Sequence, residues 1–315
     1  MLDAVALVAD RFTRSLTQEF RRAYSHSEGP YLEVIENASR LAIERIGVSN
    51  ALYHNFEHTI LVTQVGWEIL RGKRLHTTVN AVDATHFLLA CLLHDIGYVR
   101  GICAGDTREN VVINEAGDTM KLSSDVSDAA LAPYHVDRSK LFIRERAALV
   151  DFVDGERIAR AVELTRFPVP NDADHAETDT EAGLVRAADL IGQLADPYYP
   201  RKCVALFYEF EEIGLNRQLG YSSPGDLIRN YPKFFWHSTY KYIKPGLKYL
   251  ECTASGRQWT ANLFRHVFAS EHLETLRGRA ARQLLETLRL WPAKRGGLSA
   301  LPLSNDIPNR PPADV

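Results

Sequence analysis

The sequence predicts an all-α protein. Apolar residues recur at helical spacing along most of the chain, beginning with residues 2–23. Glycine and proline interrupt these runs, for example at Gly29 and Pro30. No alternation of apolar and polar residues is long enough to indicate a sheet. Because the helical pattern is continuous and no strand pattern appears, the predicted fold class is all-α.

The helical segments follow one another along the chain. The pattern predicts helices over residues 2–23, 31–48, 56–71, 79–94, 139–152, 156–166, 181–195, 203–214 and 260–290. Residues 98–121 are rich in glycine, so mostly loop is expected there. Residues 231–249 alternate aromatic and lysine side chains. Such a segment can bind bases and phosphates, but more often its rings pack into a helical core, which is the interpretation we favour; as a compromise between the two, it could form one wall of a substrate pocket.

Composition restricts the partners. The net charge of −3 gives no general electrostatic reason to expect a nucleic acid polymer or a membrane surface as partner. No apolar stretch reaches the roughly 18 residues of a membrane span. The four cysteines are far apart, and Cys91 lies within an apolar run, which is typical of a reducing compartment. A cytoplasmic protein is therefore expected.

Two polar clusters stand beside strongly apolar helices. His54 and His58 are four residues apart, so on a helix they share one face. His94 and Asp95 close the apolar run Phe87–Leu93, and a buried aspartate needs a partner. A divalent metal would satisfy both groups at once. For any single residue here, a hydrogen-bonded core position is the simpler alternative.

In order, His58, His94 with Asp95, and Asp189 resemble the H…HD…D pattern of the HD superfamily of metal-dependent phosphohydrolases. The segment Tyr53–His58, with the sequence YHNFEH, is similar to the YHNxxH motif of class I cyclic-nucleotide phosphodiesterases. Asp189 lies in an Ala-Asp-Leu sequence followed by a proline, which is similar to their ADL…P segment. The resemblance extends over about residues 50–200. It implies a phosphodiesterase-like helical bundle.

The resemblance also implies a reaction. His58, His94, Asp95 and Asp189 would hold a first metal, and two imidazoles with two carboxylates suit Zn²⁺, Mn²⁺ or Fe²⁺. Asp95 would bridge to a second ion, Mg²⁺ or Mn²⁺. Metal-activated hydroxide would attack a phosphate mono- or diester, and His54 would protonate the leaving group. The expected enzyme is a hydrolase of a small phosphate ester or nucleotide.

The chain departs from this pattern after the His-Asp pair. Tyr98 stands where the phosphodiesterases have a histidine, and His135 is the one other histidine in a suitable window. An all-histidine second metal site is therefore excluded, and a second ion on Asp95 and water remains open. We expect His135 to be catalytic. The glutamine that binds purines in the phosphodiesterases has no match, which places a cyclic-nucleotide substrate in doubt.

Three residues are expected to bind substrate. Tyr53 and Asn55 belong to the first motif, and Arg138 offers a bidentate contact to phosphate. The alternative for the region of Arg138 is a helix start at Asp137 or Ser139, with the basic side chains in solvent.

The regions expected are N-terminal helices over 1–50, a metal-binding catalytic core over 51–200, C-terminal helices over 201–292 and a tail over 293–315 without fixed structure. Two other classes stay open. One is an HD-type di-iron oxygenase, which needs more iron ligands than we can assign. The other is a non-catalytic HD module that binds a nucleotide or partner. A homodimer is neither required nor excluded.

Overall fold

The computed structural model describes residues 3–25, 29–123 and 125–290. About 69% of the chain is helical, which confirms the predicted all-α class. The helices are α1 (Ala4–Tyr24), α2 (Gly29–Ile46), α3 (Phe56–Lys73), α4 (Ala81–Leu93), α5 (His135–Ala147), α6 (Gly155–Glu163), α7 (Glu181–Leu194), α8 (Tyr199–Glu212), α9 (Leu215–Leu219), α10 (Pro224–Phe234), α11 (Tyr240–Leu250) and α12 (Ala254–Leu290). None of the described helices is both long and apolar enough to cross a membrane.

The expectation of no sheet was wrong at one place. Residues 98–121 contain an antiparallel ribbon of β1 (Asn110–Val112) and β2 (Thr119–Lys121), with Val111 opposite Met120. Strands of three residues are too short to produce a recognisable alternation in sequence. Gly117, in the connecting turn, has a φ of 81°, a conformation that favours glycine.

Several helix boundaries also differ from the predictions. Helix α5 begins at His135, before both of the residues considered as its N-cap. The aromatic segment divides into α10 and α11, joined by a π-helical turn over Phe235–Thr239. The ring of Phe235 is fully buried, while Lys233 is exposed. The segment therefore supplies both core and surface.

Helices α3, α4 and α7 form the centre of the core. The close approach of α3 and α7 depends on Gly192, because a Cβ atom at this position would lie 2.9 Å from the backbone of Val62. The turn after α4 packs similarly closely on α5, where a Cβ atom on Gly97 would lie 2.0 Å from the carbonyl oxygen of His135. These contacts bring the polar ends of α3, α4, α5 and α7 together.

The chain divides into two compact units, residues 1–272 and 273–315. The first contains helices α1 to α11, the ribbon and the beginning of α12. In the second unit the structure describes the remainder of α12. The predicted tail over 293–315 lies outside the described residues.

Candidate metal centre

Four predicted metal ligands converge at one point. His58 lies in the first turn of α3, His94 and Asp95 directly follow α4, and Asp189 lies on α7. The Nε2 atom of His58 is 3.1 Å from Asp189 Oδ1 and 3.5 Å from Asp95 Oδ2. The Nε2 atom of His94 is 3.1 Å from Asp95 Oδ2 and 3.7 Å from Asp189 Oδ1. Two imidazoles and two carboxylates therefore face each other across less than 4 Å.

Local structure fixes the start of α3, on which His58 lies, and orients the imidazole of His94. Asn55 is the N-cap of α3, and its Oδ1 accepts hydrogen bonds from the backbone N–H groups of Glu57 and His58, at 2.9 and 3.4 Å. The Nδ1 atom of His94 donates to the carbonyl oxygen of Cys91 at 2.9 Å. A proton on Nδ1 leaves the lone pair on Nε2, which is the tautomer that binds a metal.

The donor set fits a divalent cation. Oδ2 of Asp95 is buried and accepts no hydrogen bond from any described residue, although His94 Nε2 is 3.1 Å away. An uncompensated buried carboxylate oxygen is costly, and a cation is the usual compensation. Imidazole and carboxylate together suit Zn²⁺, Mn²⁺ or Fe²⁺. The residues therefore match the chemistry of the metal expected from the sequence.

The ligand cluster attracts positive charge. Burial lowers the pKa of His94, but the charge of Asp95 outweighs burial and raises that pKa to about 9. Burial raises the pKa of Asp95, and the neighbouring imidazoles, above all His94, hold it well below its ordinary value. Protons and a metal ion would thus compete for the same atoms.

His54 is held by a buried glutamate from a distant part of the chain. Its Nδ1 donates to Glu209 Oε2 at 2.6 Å, and Glu209 Oε1 accepts from the backbone N–H groups of Tyr53 and His54. Burial lowers the pKa of His54, but the charge of Glu209 and this hydrogen bond raise it to about 9. His54 is therefore protonated at neutral pH. Its Nε2 is the nitrogen left for a ligand in the adjoining cavity.

The pKa of His135 shifts in the opposite direction from that of His54. Burial lowers its pKa, and its Nδ1 donates to the carbonyl oxygen of Ala132 at 2.6 Å. Its Nε2 lies 3.6 Å from Asp95 Oδ1, on the side away from His94. The ring of Tyr98 stacks on both His54 and His135, with centroid distances of 4.6 and 4.5 Å. Tyr98 thus packs against both imidazoles.

A cavity of about 700 Å³ opens from this centre. His54, His58, Asp95, His135 and Asp189 line its inner end. The outer part lies between α8, α9 and α10, and the segment 231–249 contributes to its wall, which the sequence allowed as a compromise. The volume suits a small molecule.

The predicted substrate-binding residues lie elsewhere. Tyr53 is buried, and the side chain of Asn55 caps α3; neither lines the cavity. Arg138 is also absent from the cavity and is fully buried. Its guanidinium pairs with Asp106 and donates to the carbonyl oxygens of Gly97 and Val99. The predicted contact of Arg138 with phosphate is therefore wrong, because this side chain has buried partners within the protein.

Sequence reasoning missed Glu209. It lies on α8, where we predicted a helix but assigned no functional residue. Its signal is a carboxylate at helical spacing between Leu206 and Ile213, which also line the cavity. A charged residue on a buried helix face is unusual, but the sequence alone does not reveal its partner.

The fold and centre define an all-α protein with a buried histidine–aspartate cluster, suited to a metal ion, at the end of a small-molecule cavity. The model of the Npun_R2479-like family matches residues 2–273, so the chain belongs to this family. No curated protein and no solved structure matches the chain significantly.

Proposed function

We propose that this protein is a metal-dependent hydrolase of phosphate esters. The observation that carries the proposal is the convergence of His58, His94, Asp95 and Asp189 at the inner end of the cavity. The resemblance to the HD superfamily supports it, since the same four residues form the pattern on which that resemblance rests. A bound divalent ion would supply positive charge for the phosphoryl oxygens and lower the pKa of a water molecule.

His54 is the proposed general acid. Its protonated ring lines the cavity next to the ligand cluster, with Nδ1 engaged by Glu209. A donor on Nε2 would protonate the alkoxide that leaves when the ester bond breaks. Glu209 fixes the orientation of the ring and stabilises its charge. The glutamate is thus a positioning residue for His54.

His135 is proposed to assist from the other side of Asp95. Its pKa is lowered where that of His54 is raised, and its Nε2 lies 3.6 Å from Asp95 Oδ1. A neutral imidazole there can accept a proton from water or contribute a ligand to a weaker second ion. Two neighbouring histidines whose pKa values shift in opposite directions can serve as the acid and the base of one reaction.

The test is hydrolysis of a panel of phosphate mono- and diesters by protein loaded with Mn²⁺, Zn²⁺ or Fe²⁺. We expect activity with at least one metal, and a loss of at least a hundredfold in H54Q with metal content unchanged. The matched control is H272Q, which changes an exposed histidine outside the cavity. Absence of hydrolysis in every loaded preparation would contradict the proposal, and so would two irons per chain with oxygen consumption.

A further inference from the structure

The lining of the cavity is polar at the metal centre and mainly apolar farther from it. Next to the inner end, the buried wall is formed by Leu190, Leu206, Leu227 and Tyr231, each less than 9% exposed. Phe210 and Leu215 extend this apolar surface outward. The wall comes from α7, α8, α9 and α10, so it is a property of the fold and not of a single loop.

In the outer part, partly buried polar side chains such as Asn230 are uncharged, and the exposed polar groups lie at the rim. Lys233, His237 and Gln218 line the cavity but are exposed to solvent. Lys233 is the one lysine or arginine among the described residues that line it. Arg138, the cation that the sequence offered for phosphate, is buried elsewhere.

This distribution restricts the substrate. A polyphosphate or a dinucleotide needs several cationic contacts, and apart from the imidazoles at the inner end the described buried walls offer no cation. An apolar group in the same space would displace water from leucine and aromatic side chains, which is favourable. One anionic group can be accommodated at the metal centre.

We propose, building on the function proposed above, that the substrate is an amphiphilic phosphate ester: one phosphate at the metal centre and a bulky apolar alcohol in the chamber between α8, α9 and α10. Nucleotides are then poor ligands. The length of the apolar group determines affinity until it reaches the rim.

The test uses alkylphosphonates, whose P–C bond is not hydrolysed. Calorimetry on the metal-loaded protein compares methyl-, butyl- and octylphosphonate with adenosine monophosphate. Each buried methylene is expected to increase affinity about fourfold. Octylphosphonate should therefore bind at least a hundredfold more tightly than methylphosphonate, and more tightly than the nucleotide.

A cavity-filling variant adds a second test. L215W places an indole in the apolar wall and should weaken octylphosphonate at least tenfold while leaving methylphosphonate unchanged. The control is L149W, which adds the same group at a side chain that is 73% exposed and outside the cavity. Unchanged octylphosphonate affinity in folded, metal-loaded L215W would overturn the inference.

The series on the unmodified protein separates the two proposals. Equal affinity for methyl- and octylphosphonate, or tighter binding of the nucleotide, would overturn the amphiphilic substrate and leave the phosphohydrolase intact. Failure of every phosphonate to bind the metal-loaded protein would overturn both.

Discussion

At the scale of single residues, environment sets the chemistry of the histidines. His54 and His135 both line the cavity, and Tyr98 contacts both rings. Burial lowers the pKa of each, but Glu209 reverses the effect at His54. The difference between the proposed acid and its neighbour therefore depends on one carboxylate from α8.

Replacement of Glu209 by glutamine tests whether its charge raises the pKa of His54. In E209Q the charge that raises the pKa of His54 is removed, so the pKa falls from about 9 toward or below the ordinary 6.5. The protonated acid is lost as pH rises through its pKa, so the alkaline limb of kcat/KM should move to lower pH. At pH 8 a pKa of 6.5 leaves about 3% of the acid protonated, so we expect about a thirtyfold loss of activity.

The control for this prediction is E33Q, which changes an exposed glutamate on α2. Its pH profile should match that of the unmodified protein. An unchanged alkaline limb in E209Q, measured with metal content verified, would show that Glu209 does not control His54.

The sequence indicated four residues that the fold brings together, but it did not indicate the contacts that support them. His58, His94, Asp95 and Asp189 follow from their order and from the apolar helices around them. Glu209 is 155 residues from His54, and no local pattern links the two. Arg138 was assigned to the substrate because it is a basic residue near the predicted site. Its buried partner Asp106 is 32 residues away, and the sequence does not indicate that the two side chains pair.

At the scale of elements, buried ion pairs connect α5 to its neighbours. The guanidinium of Arg138 joins α5 to the loop after α4 and to β1, through Asp106 and backbone carbonyl groups including that of Val112. A small second core containing Tyr98, Val111 and Leu131 lies under the ribbon. Through Tyr98, this region contacts the imidazoles of His54 and His135.

Removal of the buried arginine should destabilise the protein strongly. In R138M, Asp106 keeps its buried charge without its partner, and loss of one partner of a buried pair costs about 3–5 kcal/mol. Urea unfolding measures the change. R11M, at an exposed position on α1, should change the free energy of unfolding by less than about 0.5 kcal/mol. A loss below 1 kcal/mol in R138M would contradict the assigned role.

Glu163 makes a second connection, whose strength depends on pH. It lies at the end of α6 and accepts from Lys140 and Arg166, at 2.7 and 2.6 Å. Burial raises its pKa, but these cations outweigh burial and lower the pKa to about 2. A lowered carboxyl pKa stabilises the fold above the ordinary pKa of 4.5 and loses this effect as pH falls toward 2.

The corresponding prediction concerns E163Q. The variant should be less stable than the unmodified protein by about 1–2 kcal/mol at pH 7, allowing for partial solvent screening. The difference should shrink by more than half at pH 3, because the unmodified protein loses stability there. Urea unfolding at both pH values tests this; a constant difference would contradict the lowered pKa.

At the scale of the whole molecule, the helical class was predictable because the apolar periodicity extends over long segments. Helices α3, α4 and α7 begin and end within two residues of the predicted positions. The ribbon and the π-helical turn were not predictable, because three and five residues are too few for a periodic pattern to be recognised in sequence. The cavity depends on how α7 to α10 pack together, which sequence periodicity does not specify.

The candidate metal centre joins distant parts of this fold, so we expect metal binding and stability to be linked. His58, Asp95 and Asp189 come from α3, the end of α4 and α7, and unfolding separates them. A metal at a hundredfold excess over its Kd should stabilise the folded protein by about 2.7 kcal/mol. Thermal unfolding with and without a chelator tests this expectation; an unchanged Tm would argue against a metal bound by the folded centre.

The most direct measurement is the metal content of protein purified without chelator, determined by elemental analysis. The unmodified protein should contain Mn, Zn or Fe at one equivalent or more, and D95N and D189N should lose it. D151N, which changes an exposed aspartate outside the centre, should retain it. Protein without metal after incubation with each ion, or full metal content in D95N and D189N, would contradict the metal centre on which the account rests.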